Sequence, residues 1–314
     1  MTSGVHTMRH DMRHCRIAIL GLVLLAGAIG GLLEAHAAPE TFNTALPVGK
    51  GDFVFREQFL FIKASDDPSP ADRNLEVLGG ISVLGYGATS DLALFGVLPY
   101  LDKELNLTTS GGQRITRSTN GIGDAQLFAR YTVFQKNLLG RNFRIAPFLG
   151  LELPTGDDND RDSFGRLPAT LQLGSGSWDP FGGVIATYQT LDYEVDVQLS
   201  YRANTEANGF EFGDEIRFDA SLQYRLLPRD LGAGVPGFLY GVIETNLLHQ
   251  AKNEISGTND PNSGGAKLFL SPGLQYVTKR WVLEAIVQIP VVQDLGGAAL
   301  KDDYSVRPGF RVNF

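Results

Sequence analysis

His249 is the only histidine beyond residue 36, so any nucleophile–base pair would have to be built around it. Hydrolases that pair serine with histidine need the hydroxyl within hydrogen-bond reach of the imidazole, and a third group to orient the ring. Ser256 and Ser263 follow in the adjoining stretch and Glu244 precedes on the same expected strand. No G-x-S-x-G elbow fixes a serine beside the ring. A lipid hydrolase using His249 is therefore the weakest reading, and no catalytic residue is expected. A second cluster, Asp157, Asp158, Asn159, Asp160 and Asp162, has the closely spaced oxygens that suit calcium. It lacks the glycine and distal glutamate of a calcium-binding loop, so it reads as a solvated acidic loop, with no metal site and no cofactor.

The remaining ionisable residues follow a different rule. From Asp192 to Arg202, Tyr193, Val195, Val197, Leu199 and Tyr201 alternate with Glu194, Asp196, Gln198, Ser200 and Arg202. From Glu215 to Leu226, Ile216, Phe218, Ala220, Leu222, Tyr224 and Leu226 alternate with Glu215, Arg217, Asp219, Ser221, Gln223 and Arg225. Successive side chains of a strand point to opposite faces, so each run has one apolar and one charged face. Both runs reach the roughly 9–11 residues that a tilted strand needs to cross a bilayer.

Extended along the chain, the same reading predicts strands near 52–63, 74–86, 90–101, 122–135, 142–154, 178–190, 192–202, 214–227, 237–250, 266–277, 281–292 and 304–314. The expected fold is all-β, an antiparallel transmembrane β-barrel of about 12 strands, with long outer loops alternating with short periplasmic turns. The first strand breaks its own pattern, because Glu57 falls among Phe53, Phe55, Phe59 and Phe61. The Gly-rich strand near 178–190 has no clear facing.

The ends of the chain agree. Arg9, Arg13 and Arg16 precede an uncharged apolar run from Ile17 to Leu33, followed by Ala35-His36-Ala37. A basic region, an apolar core and an A-x-A site make a secretory signal peptide over residues 1–37. Residues 38–314 are then a single barrel domain. Removing 1–37 takes away Cys15, every methionine and four of the five histidines, leaving no disulfide framework and no cysteine or histidine metal cluster. It also removes three basic and two acidic residues, so the net charge moves from -8 to -9, a balance that argues against nucleic acid as a partner. At the other end, Phe310, Val312 and Phe314 step by two to a terminal phenylalanine, with Arg311 and Asn313 between them. This resembles the closing strand of outer-membrane proteins and implies a signal read by the barrel-assembly machinery. Outer-membrane lipid and lipopolysaccharide are the expected surroundings, with both termini periplasmic.

Closure matters because hydrocarbon offers no partner to the backbone of an open sheet edge. A closed barrel places its polar faces inside, so the lumen is expected to be lined by Asp124, Arg130, Arg144, Glu152, Glu194, Asp196, Arg202, Arg217, Asp219, Arg225, Glu244, Glu284, Arg307 and Arg311. Acids and bases are interleaved. They either line a narrow water-filled path or pair into a network that closes it. The apolar lumen candidates Phe128, Phe134, Phe148 and Phe269, set among Arg130 and Arg144, suit aromatic or carboxylated solutes.

Gly121-Ile122-Gly123-Asp124, Pro154-Thr155-Gly156-Asp157, Gly174-Ser175-Gly176-Ser177-Trp178-Asp179 and Arg307-Pro308-Gly309-Phe310 fall in order at strand starts and ends. With them the chain resembles the outer-membrane family labelled "MetA-pathway of phenol degradation", over most of residues 50–314. The resemblance implies a transporter-like barrel associated with aromatic or other apolar compounds, and no catalytic residues. The expected function is thus an outer-membrane channel for a small-molecule solute, apolar or aromatic. The alternative is a non-conducting structural or surface-interaction barrel plugged by its own charges. The stretch from Ala38 to Gly51 is too short for a globular plug domain, and the connection 102–121, with Gly111-Gly112, is the candidate to fold inward.

Overall fold

The computed structural model describes residues 35–230, 234 and 237–314. The expected signal peptide falls mainly on residues 1–34, outside that range, as does most of the turn near 228–236.

Twelve strands close into an antiparallel barrel. They are β1 (Phe53–Ala64), β2 (Asn74–Gly87), β3 (Leu92–Thr108), β4 (Ala125–Tyr131), β5 (Arg141–Leu153), β6 (Asp179–Thr190), β7 (Tyr193–Arg202), β8 (Glu215–Leu227), β9 (Phe238–Gln250), β10 (Gly265–Val277), β11 (Trp281–Leu295) and β12 (Tyr304–Asn313). Each pairs with its sequence neighbours, and β12 returns to β1. Phe53 and Phe314 exchange backbone hydrogen bonds of 2.7 and 2.9 Å at that seam, and their rings stack at 5.7 Å. Farther along, the ladder runs to Gln58↔Gly309 and resumes at Phe61↔Val306. Pro308, which has no N–H to donate, sits in the gap. Among the described residues no helix is long and apolar enough to cross a membrane; the strands do the crossing.

The alternation decides which face is which. On β8, Ile216, Phe218, Leu222 and Tyr224 are exposed on the outside, whereas Asp219, Ser221, Gln223 and Arg225 are buried inside. Polar side chains such as Glu194, Asp196, Glu244, Asn246 and Gln275 are among the most deeply buried in the chain, while leucines cover the outer surface. That arrangement is inverted relative to a water-soluble sandwich and suits a shell of hydrocarbon.

Connections differ at the two ends. At the end holding Phe53 and Phe314, referred to as the turn end, β6 and β7 are joined through Leu191 and Asp192 alone, and β10 and β11 through 278–280. At the opposite loop end the connections are long and knit to one another. Arg117 clasps Asp162 through two bonds of 2.7 and 2.9 Å, and Asp124 accepts from Gly156 N at 2.9 Å and Ser175 N at 2.6 Å. The expectation for 102–121 needs correcting. That stretch does not fold inward. β3 runs on to Thr108 and pairs with Arg114–Ile122 as a hairpin that prolongs the wall. The loop 154–178 covers the mouth instead, seating Leu167 and Leu171 against Leu105.

Candidate functional site

The stretch Ala38–Gly51 occupies the lumen. Too short for a domain, it nevertheless acts as a plug, because the barrel wall supplies its hydrogen-bond partners. Glu244 on β9 accepts from the peptide N–H of Glu40 at 2.6 Å and of Thr41 at 3.1 Å, and from the Thr41 hydroxyl. Arg56 and Gln58 on β1 both donate to the Glu40 carbonyl at 2.9 Å. Arg130 on β4 donates to Asn43 Oδ1 at 2.6 Å and to the carbonyls of Thr44 and Leu46. Thr187 on β6 accepts from Ala45 N at 2.8 Å, and Ala45 packs against Ala146 and Ile185 with no exposure. The segment thus crosses the lumen from β9 and β10 to β4 and β6 before returning to β1. The return is tight: a Cβ at residue 87 would lie 1.9 Å from the Gly49 carbonyl oxygen, so only glycine fits there.

The lumen residues named from the sequence separate into groups. Arg130 and Glu244 hold the plug. Glu284 accepts from Arg56 Nε at 2.6 Å, and Arg311 reaches the His36 carbonyl. Glu194 accepts from Gln189 at 2.8 Å, while Asp196 accepts from Thr187, which itself holds the plug. Glu152 pairs with Arg202 at 2.9 Å. Asp219 accepts from Asn246 at 2.9 Å and Gln198 at 3.2 Å, leaving Arg217 no closer than 3.7 Å. Arg307 has Arg217, Glu244 and Arg56 as charged neighbours. Arg144 reaches Asn137 at 3.5 Å. Two others lie away from the plug: Asp124 ties the loop end together, and Arg225 bonds Asp192 and the Pro228 carbonyl at the turn end. The sequence reading missed Arg56, Gln58, Thr187 and Asn246, which contact the plug directly. Arg56 and Gln58 were hidden by the irregular first strand.

On the loop side of the plug lies a cavity of about 180 Å³. Phe128, Phe148 and Phe181 wall one side, with ring centroids 6.1–6.4 Å apart. Arg202 lies over Phe181 at 5.7 Å, and Arg217 and Glu215 complete the polar side. Phe95 stacks on Phe128 at 4.7 Å behind them, and Arg130 lies over Phe95 at 4.9 Å. Phe128 and Phe148 were named from sequence; Phe95 and Phe181 were not. Phe134 needs correcting, since it is exposed and pairs beyond the break after β4. Phe269 stays apart from the ring cluster. Nearer the mouth is a second cavity of about 350 Å³, lined by Leu75, Leu105, Leu171, Leu248, Leu295 and Leu300, with Arg73 and Lys267 at its polar rim.

Chemistry at the other candidates is limited by facing. His249 is exposed on the outer face, whereas Glu244 is buried inside on the plug, so the two cannot form a relay. Ser263 is engaged with Asn253 N and the Asp260 carbonyl. In the acidic loop each carboxylate turns to its own partner. Asp157 accepts from Asn159 N, Asp160 from Thr119 and Asp162 from Arg117. Among the described residues no three His, Cys, Asp or Glu side chains are placed to hold a metal. The hydrogen bonds from Arg117 and from Phe164 N hold the Asp162 carboxyl below the usual carboxylate range. At Asp67 burial works the other way, but donors from Arg73 and Ser69 outweigh it and hold the group well below that range.

The model of the family described as "MetA-pathway of phenol degradation" matches residues 72–289, more than half of the chain. The chain belongs to that family. It shares its fold with the COG4313 outer membrane channel from Pseudomonas putida F1, with a TM-score of 0.66 at 15% identity, covering 89% of this chain and 100% of that one. Lesser likeness extends to the NanC porin (TM-score 0.44, 12% identity, 83% of this chain and 98% of that one). The β domain of the Bordetella autotransporter BrkA is similar at TM-score 0.45 and 12% identity, over 84% of this chain and all of that one. No curated protein matches by sequence. The family and fold are those of an outer-membrane β-barrel, as the alternation implies.

Proposed function

We propose that this family member is an outer-membrane channel that passes small apolar or aromatic solutes, with residues 38–51 as its gate. The turn end then faces the periplasm and the loop end faces outward, with lipopolysaccharide around the loops. The observation that carries this reading is the phenylalanine-walled cavity directly against the plug. An apolar cavity of about 150 Å³ is enough for a benzene-sized guest, and the ring-walled cavity here measures about 180 Å³. Rings suit an aromatic body, while Arg202 and Arg217 supply cations over and beside it. The leucine-lined outer cavity is a fitting antechamber. A solute moving inward from the ring cluster meets Phe42 and Asn43 of the plug, which form the floor of that cavity.

One observation favours the closed-barrel alternative: the plug is held at many points, from Glu244 to Arg130. The two readings are separated by uptake into liposomes carrying the refolded protein. A channel of this kind admits phenol, benzoate or toluene faster than a sugar of similar mass, and loses that preference when Phe128 and Phe181 are both replaced by alanine. Uptake no faster than in empty liposomes, from heat-modifiable folded protein, favours the closed barrel.

A further inference from the structure

The peptide bond expected to be cut by signal peptidase leads directly into the plug. Ala37 and Ala38 are 4% and 3% exposed. No protease reaches that bond once the barrel has formed, so cleavage precedes docking of the plug. Hydrolysis adds one water across the bond. The new carboxylate of Ala37 leaves with the leader, and the new amine of Ala38 stays and takes up a proton, since an α-amino group titrates near pH 8.

The site that receives Ala38 holds buried acceptors left unmade. Ala38 N lies 3.2 Å from Gln275 Oε1 on β10. Gln275 stands directly opposite Glu284 of β11 in the ladder, and such cross-strand neighbours have Cβ atoms about 5 Å apart. One step along the same face of β10, the Glu40 Oε1 atom approaches Gly273, where an added Cβ would lie 3.0 Å from it. Both carboxylate oxygens of Glu40, and Glu284 Oε2, are buried without a hydrogen-bond partner. Buried acceptors left unmade are costly. An amide at Ala38 has one proton to give, already committed to Gln275; an ammonium has three, and a positive charge.

We propose that the α-ammonium released at Ala38 is the binding group that locks the plug, pairing in the lumen with the carboxylates of Glu40 and Glu284. Signal cleavage thereby does more than free the barrel from its leader, because it creates the charge that seats the gate. Arg311 is the competing donor: it contacts the His36 carbonyl, which departs with the leader, and it has Glu284 and Glu40 among its charged neighbours. A test must therefore alter the amine and leave Arg311 alone. The inference rests on the plug, on the cleavage site and on the reading of residues 38–51 as a gate, and not on the identity of the solute.

The experiment begins with mass spectrometry of the protein taken from outer membranes, where the first peptide is expected to start at Ala38. Three forms of the 38–314 chain are then refolded and checked for heat modifiability: a free amine, an N-acetylated Ala38, and a Gly-Ser extension that keeps an ammonium but displaces it. Single-channel recordings are expected to show the acetylated and extended forms spending roughly tenfold more time in a higher-conducting state than the free-amine form, the change expected for loss of one charge-assisted pair. In Glu40→Gln the effect of acetylation is expected to shrink. A native chain starting elsewhere, or three folded forms with the same gating, overturns the proposal.

Discussion

The two halves of the lumen are built on opposite plans. In the turn-end half, buried carboxylates, amides and arginines reach inward to the backbone of residues 38–47 and leave little space. In the loop-end half, phenylalanine rings and leucines line two cavities, and the charges mostly pair with the wall: Arg202 with Glu152, Lys267 with Asp302. Both halves derive from the same alternating strands, and the difference lies in what meets the inward face. Where the chain's own backbone enters, polar side chains are matched to it; where it does not, aromatic side chains keep open a space that a solute can fill. A polar lumen is therefore not in itself a water channel, and a ring-walled cavity inside it is the more informative feature.

Four changes would break or sharpen that contrast. The largest effect is expected from Glu244→Ala, which orphans the N–H groups of Glu40 and Thr41. Each buried unmade donor costs about 1–3 kcal/mol. The plug should loosen, and limited proteolysis from the turn end should clip residues 38–50 in the folded barrel. Phe181→Ala is expected to leave the plug in place while weakening binding of a small aromatic by about 0.5–1.5 kcal/mol, roughly two- to tenfold, by titration calorimetry. Glu57→Leu concerns the outer face. Glu57 points away from the lumen beside Ser82, whose hydroxyl bonds it at 2.6 Å. Removing a carboxyl from the lipid side should stabilise the folded barrel by about 1 kcal/mol in denaturant titrations in lipid. The smallest effect concerns acid. Asp67 and Asp162 are held below the ordinary range in the folded chain. Their contribution to loop order is complete above about pH 4 and is lost as pH falls through the lower folded values. Hydrogen exchange in the loops, but not in β8 or β9, should rise in that window.

The strands were legible because period-two alternation is a local property. Tyr193 to Arg202 and Glu215 to Leu226 report their facing with no knowledge of their neighbours, and β7 and β8 fall where the pattern places them. The hairpin from β3 into Arg114–Ile122 was hidden by its Thr, Ser, Asn and Gly content, which reads as loop until Thr119 is seen opposite Lys103 and Ile115 opposite Leu107. The plug was illegible for a different reason. Residues 38–51 have no period of their own, and their partners lie as far away in sequence as Gln275, Glu244 and Arg130. Nothing local distinguishes such a segment from an unstructured tail. Glu57 was a visible irregularity whose meaning, a carboxyl on the outer face next to the Pro308 gap, needed the register to be known.

The central claim is that residues 38–51 gate a pathway that small aromatics use. It is tested most directly by single-channel conductance of the refolded 38–314 chain and of the same barrel lacking residues 39–47, each with and without benzoate. The account predicts small, infrequent openings of the complete chain, modulated by benzoate, and severalfold larger, steady currents after deletion, with benzoate still causing block at the ring cluster. Equal currents from both folded proteins, or deletion currents indifferent to benzoate, would contradict it.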